Sequence, residues 1–266
     1  MARAFDIRRQ TGFSTIAIGC FVLLYLPIIL LVIYSFNAGR SIAMWEGFSW
    51  RWYISAWQND QVQSATVRSL VLATSAAIFS TACAVPAALA TTRQGSFKGY
   101  AFVFALINQP LMVPEIVTAV ALLIVFAAVK VATGYTGFGY LILAHTAFCI
   151  PFAYMPIRAR LQGMNLSLEQ AGADLYATPW RVFRHVTLPQ LWPGILAGAM
   201  LAFVTSLDDV VITEFVKSAG QDTLPTYMLG QMRRVVTPEV NAISSALLAI
   251  SVVMVMAFFF LSKTRK

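Results

Sequence analysis

Hydrophobic positions fall in long unbroken stretches, separated by short segments that carry most of the charge. Runs free of Asp, Glu, Lys and Arg cover 10–39, 69–92, 99–129, 131–157, 185–207 and 240–262, the third interrupted only by Glu115. A membrane-spanning helix needs roughly 20 mostly apolar residues. Each run therefore holds one helix, and the chain reads as all-α with six transmembrane helices at about 13–37, 65–91, 99–129, 138–158, 190–213 and 240–262. Gly and Pro fall inside several runs, which membrane helices tolerate because neighbours re-satisfy the freed backbone groups. The six spans form a single transmembrane domain over 1–266, and an inner loop at about 163–189 interrupts the rhythm.

Composition agrees. Hydrophobic residues make up 59% of the 266 and charged residues 11%, with mean hydropathy +0.72. A soluble domain carries about 25% charged residues, so too little polar surface remains to cover a globule in water. Soluble enzymes, disordered tails and disulfide scaffolds are excluded. Cys20, Cys83 and Cys149 all lie in apolar runs without metal-site or disulfide spacing, and read as small hydrophobes. The apolar stretch after Arg8-Arg9 outlasts a secretory signal core of ~7–15 residues and reads as a retained first helix.

The net charge of +8 has a membrane explanation. Six spans put both termini on one side. If that side is the cytoplasm, twelve Lys and Arg lie inside (Arg3, Arg8, Arg9, Arg93, Lys98, Arg158, Arg160, Arg181, Arg184, Lys263, Arg265 and Lys266) and seven outside. That is the positive-inside bias. Two outer loops, 38–64 and 214–239, are longer than the rest. The first holds Trp45, Trp50, Trp52, Tyr53 and Trp57, residues that commonly anchor at the membrane interface.

The inner loop 158–189 is long for a compact bundle, and it carries helix signals. Asn165 or Ser167 can cap a short helix with Glu169 in its first turn, where a carboxylate suits the helix dipole. Thr178 can cap a second that starts at Pro179, and Leu188-Pro189 closes the segment. Its mixed charges, Glu169 and Asp174 then Arg181 and Arg184, suit a protein partner better than anionic lipid.

The run Leu168-Glu169-Gln170-Ala171-Gly172-Ala173-Asp174-Leu175-Tyr176-Ala177-Thr178-Pro179-Trp180, followed by Phe183 and Val186-Thr187-Leu188-Pro189, resembles the E-A-A loop of bacterial ABC importer permeases. Gln170 and Gly172 depart from the Glu-Ala-Ala core, and Tyr176 stands where that family usually has Gly. Ser206-Leu207-Asp208-Asp209-Val210-Val211, Thr223-Leu224-Pro225, Thr237-Pro238-Glu239-Val240-Asn241-Ala242, Met44-Trp45-Glu46-Gly47-Phe48 and Pro114-Glu115-Ile116-Val117 resemble the permeases of spermidine/putrescine importers. The resemblance implies a type I ABC importer permease of the bacterial inner membrane, paired with a second permease, two cytoplasmic ATPases and a periplasmic binding protein. It also implies coupling helices between spans four and five, with Glu169, Gln170, Ala171, Gly172, Asp174 and Tyr176 at the ATPase contact.

The chain has no GxxxxGK[ST] phosphate loop, so ATP and its Mg are expected on the partner ATPase and no cofactor on this chain. It also lacks H-E-x-x-H, its two histidines being His145 and His185, and a rhomboid-type Gly-x-Ser-Gly. A channel or secondary transporter is the competing class, but no internal duplication appears. Glu115, read as lying near the middle of span three, costs at least ~2.5–3.5 kcal/mol in a membrane and should face a bundle interior or a wet cavity. Asp208 and Asp209 fall late in span five. With Trp45 at the outer mouth, these acids suit a polyamine pathway, and another small solute is the alternative. Successive helical residues point about 100° apart, so one Asp faces the path. Asp208 is preferred, with Ser206 and Asp209 holding it.

Overall fold

The computed structural model describes residues 11–42, 44–94, 97–233 and 237–263. Arg3, Arg8, Arg9, Arg234, Arg265 and Lys266, counted above in the charge bias, lie outside them. Contacts divide the chain into two units, Met1–Asp60 with Gln231–Ile250, and Gln61–Gly230 with Ser251–Lys266.

The first unit opens with α1 (Thr11–Tyr34), apolar on every side and exposed along its length, as a lipid-facing span is. Asn37 then organises the loop that follows. Its buried amide donates to Ser41 O (2.9 Å) and Met44 O (2.7 Å) and accepts from Gly39 N (3.3 Å) and Glu46 N (2.9 Å). The loop closes under α2 (Arg51–Gln58), whose buried Trp52 donates its indole N–H to Asn37 O at 2.9 Å. Phe36, Phe48, Trp50 and Tyr53 cluster with ring centroids 4.9 to 5.9 Å apart. The outer loop of the sequence is thus a folded cap.

The second unit contains most of α3 (Asp60–Arg93), then α4 (Tyr100–Met112), α5 (Glu115–Thr133), α6 (Gly139–Gln162), α7 (Ser167–Asp174), α8 (Pro179–Val182), α9 (Leu188–Asp208), α10 (Val211–Val216) and α11 (Leu224–Met232). The last helix, α12 (Pro238–Lys263), crosses the division between the units. Six helices among the described residues are long and apolar enough to cross a membrane.

The apolar run 99–129 is two helices rather than one. Pro114 removes an N–H and biases the residue before it away from helical backbone. Val113 is accordingly extended (φ −101°, ψ 139°), α4 stops at Met112 and α5 restarts at Glu115. Glu115 therefore stands on the first turn of α5 and not near mid-helix. Gly134, at φ 70°, ends α5 and donates its N–H to Lys130 O.

The core of this unit is the α6–α9 pair. Gly194, Gly198 and Ala202 lie at four-residue intervals, so they share one face of α9. A Cβ at Gly198 would come within 2.5 Å of Ala153 O, and one at Gly194 within 2.7 Å of Arg160 Cβ. Small residues thus let the two backbones touch. Leu141, Ala144, Cys149, Ala153 and Ile157 of α6 are fully buried. Against this pair pack α4 and the short α10, which also lies on α5.

Candidate functional site

At the Asp208 end of α9 the helix stops and Asp209 is extended (φ −66°, ψ 133°). Its side chain folds back as the cap of α10. Oδ1 accepts from Ile212 N at 3.2 Å, and Oδ2 from Thr213 N at 2.9 Å and Thr213 Oγ1 at 2.8 Å. Asp208 is exposed and Asp209 is 6% exposed. Ser206, expected to steady Asp208, is buried and bonds His145 instead.

His145, on α6, is wholly buried among these groups. Its Nδ1 lies 2.8 Å from Ser206 Oγ, and its Nε2 lies 3.0 Å from Thr213 Oγ1 and 3.3 Å from Asp209 Oδ2. Thr213 spends its hydroxyl hydrogen on Asp209 and has only lone pairs left for the imidazole. In the neutral ring the proton therefore sits on Nε2, and Ser206 donates to Nδ1. Glu115 is half-buried at the start of α5, the helix on which α10 packs. The set contains a Ser, a His and an Asp, but their order around the ring is opposite to that of a hydrolase, where Asp holds Nδ1 and Ser meets Nε2. It is buried, and its bonds join α6 to the end of α9 and the start of α10.

Trp45 belongs to the other unit. It is 46% exposed, edge-on to Tyr34 with centroids 6.0 Å apart. Beyond α10, Lys217 bridges Glu214 (2.6 Å) and Asp222 (2.7 Å). Burial pushes its ammonium down, but the hydrogen bonds to Asp222 and Glu214 outweigh that and hold it above the usual lysine value.

The loop between α6 and α9 folds as two short helices. Asn165 caps α7, accepting from Ser167 N at 3.0 Å. Glu169, expected at an ATPase contact, is engaged inside the chain. It pairs with Arg93 at 3.1 Å and accepts from Thr187 Oγ1 at 3.2 Å, tying α7 to the end of α3 and the approach to α9. Gly172 is also turned inward, because a Cβ there would lie 3.2 Å from Val182 Cγ2. Gln170, Ala171, Asp174 and Tyr176 are exposed.

The end of α7 is a Schellman turn: Ala177 N bonds Gly172 O at 3.2 Å and Tyr176 N bonds Ala173 O at 2.9 Å. Tyr176 takes the left-handed position of that turn at φ 59°, and no other non-glycine among the described residues has positive φ. Pro179 opens α8 at its first helical position after extended Thr178, as expected. Leu188-Pro189 does not close the segment. The wider five-residue turn Phe183–Thr187 carries α8 into α9, so helix continues from Pro179 to Asp208. A widened turn next to Pro189 absorbs the hydrogen bond that proline cannot make. An open cleft of about 720 Å³ between α3 and these helices is lined by Val85, Leu89, Ala173, Pro179, Trp180 and Phe183.

A family model described as "Binding-protein-dependent transport system inner membrane component" matches residues 80–264. The chain belongs to this family. The putrescine transport system permease protein PotI of Escherichia coli (strain K12) is 37% identical to this permease over 250 residues, 92% of this chain and 89% of that one. The spermidine/putrescine transport system permease protein PotC of the same strain is 35% identical over 246 residues, 92% of this chain and 90% of the other. Among solved structures, a chain of a bacterial ABC transporter involved in the import of the acidic polysaccharide alginate superposes with TM-score 0.75 at 16% identity, covering 98% of both chains. A chain of the inward-facing MetNI methionine ABC transporter superposes with TM-score 0.60 at 19% identity, covering 78% of this permease and 97% of that chain. At such identities the likeness is one of fold.

The permease is a multi-pass membrane transport subunit and not an enzyme. Sequence reasoning missed His145, treating it only as half of an absent metal motif. The available signal was an imidazole inside an apolar run, since polar groups at membrane depth need a partner.

Proposed function

We propose that this permease, with a second permease subunit, forms the membrane path by which an ATP-driven importer takes up polyamines. The observation that carries the reading is identity of 35–37% over 92% of the chain to permeases named for putrescine and for spermidine/putrescine transport. The chemistry supports it. Polyamines are multivalent cations, and Glu115 and Asp208 present carboxyls at a helix break and a helix end. An exposed aromatic ring such as that of Trp45 suits ammonium groups. Several weak contacts let a cation enter and leave, whereas one strong site traps it.

ATP and Mg belong to two cytoplasmic ATPase subunits in this reading, and the exposed Gln170, Ala171, Asp174 and Tyr176 form this chain's contact with one of them. A periplasmic binding protein delivers the substrate. The test is uptake of labelled putrescine and spermidine in cells lacking other polyamine importers. Glu115→Gln and Asp208→Asn are each expected to slow uptake without loss of ATPase copurification, and the double variant to slow it further. A double variant that assembles and transports at the wild-type rate rejects the pathway. Uptake of a different solute only rejects the polyamine.

A further inference from the structure

We propose that His145 and Asp209 are positioning residues for the pathway acids: buried and never touching substrate, they fix where Glu115 and Asp208 stand. This rests on the polyamine-pathway reading above, and it separates the adjacent aspartates into one that meets the cation and one that holds the frame.

The geometry runs outward from α6. His145 is held on one side by Ser206 of α9 at 2.8 Å and on the other by Thr213 of α10 at 3.0 Å, with Asp209 at 3.3 Å. The imidazole thus bonds both the end of α9 and the start of α10 from a third helix. Asp209 in turn caps α10 through two backbone amides. A helix of six residues has no stability of its own, so this cap and its packing set where α10 lies. Two exposed or half-exposed acids depend on that arrangement. Asp208 shares a peptide bond with Asp209, so fixing one carboxylate inside directs the other outward. Glu115 stands on the first turn of α5, and α10 packs on α5. Displacing the imidazole therefore releases both acids together, although neither touches it.

The two ring nitrogens have different jobs, which gives a specific test. A glutamine at 145 places an amide N–H where Nε2–H stands and keeps the link to Thr213 and Asp209. An asparagine reaches only the Nδ1 side and keeps the link to Ser206. Uptake is measured per assembled complex, normalised by copurified ATPase, in His145→Leu, His145→Gln and His145→Asn, each with and without Glu115→Gln. We expect His145→Leu and His145→Asn to assemble and to lose uptake roughly tenfold or more, and His145→Gln to recover much of it. Because His145 acts through the acids, adding Glu115→Gln to His145→Leu should cost less than the product of the single losses, by about fivefold or more.

Simple multiplication of the two losses, or wild-type uptake in His145→Leu, overturns the proposal. If His145→Leu fails to assemble, the Gln and Asn variants decide: equal uptake in the two overturns it, and Gln well above Asn supports it. A wild-type complex that moves no polyamine rejects the substrate reading, and the proposal with it. A wild-type complex that moves polyamine, with multiplicative losses, rejects the positioning role alone.

Discussion

Tyr176 holds a backbone conformation that costs an L-residue roughly 1–2 kcal/mol, and it does so 97% exposed, with nothing packed on its ring to offset the strain. The two Schellman bonds and the opening of α8 at Pro179 fix the chain there. Glycine removes the strain but loses about 0.5–1 kcal/mol to unfolded-state freedom. Tyr176→Gly is therefore expected to stabilise the purified protein by about 0.5–1 kcal/mol, raising the thermal midpoint by a few degrees. Tyr176→Val should lower it, because a branched Cβ crowds this region further. A fall in midpoint with glycine would contradict the strain. The turn itself was legible from the family pattern, but the residue in it pointed elsewhere. Only the φ angle shows that the backbone keeps the glycine conformation without the glycine. His145 was illegible for a different reason: its partners lie 61 and 68 residues downstream, and nothing local in the sequence announces a bond of that range.

At the level of elements, α7 is held by one carboxylate. Glu169 joins Arg93, 76 residues earlier, to Thr187, 18 residues later. Both members of the ion pair are 19% exposed. An exposed pair contributes ~0.2–1 kcal/mol and breaking a buried one costs ~3–5, so this pair falls near about 1–2 kcal/mol. Glu169→Gln should open the loop more often, and trypsin should cut at Arg181 and Arg184 roughly fivefold faster or more. The swapped pair Arg93→Glu with Glu169→Arg should restore part of the protection. Unchanged cleavage in Glu169→Gln would show that α7 is held by something else. The helices of this loop were readable because caps and proline act over three or four residues. Their inward-facing members were not, because facing is decided by Arg93 and Val182 across the fold. The same holds for 99–129: charge alone made one span of it, and Val113-Pro114 was the local signal that splits it.

Six helices among the described residues are able to cross a membrane, and the apolar runs were plain in the sequence because lipid imposes length and composition together. We propose from the charge that both termini are cytoplasmic, which puts twelve basic residues inside and seven outside. Reporter fusions at either end should therefore work only as cytoplasmic reporters, and a C-terminal fusion active in the periplasm would refute the arrangement. On that arrangement α9 and its extension reach from the cytoplasmic loop to the acids, 30 residues or about 45 Å of helix. The wide turn Phe183–Thr187 has a consequence for how such a rod evolves. Each residue of an α-helix turns the chain by about 100°, and a turn closed over one residue more takes up that rotation locally. The bearing of Trp180 and Arg181 is thereby set apart from the stripe of Gly194, Gly198 and Ser206. A residue gained or lost within 183–187 swings the loop around the axis while every side chain from Leu188 onward keeps its neighbours, so the loop end can be re-aimed without redrawing the membrane end.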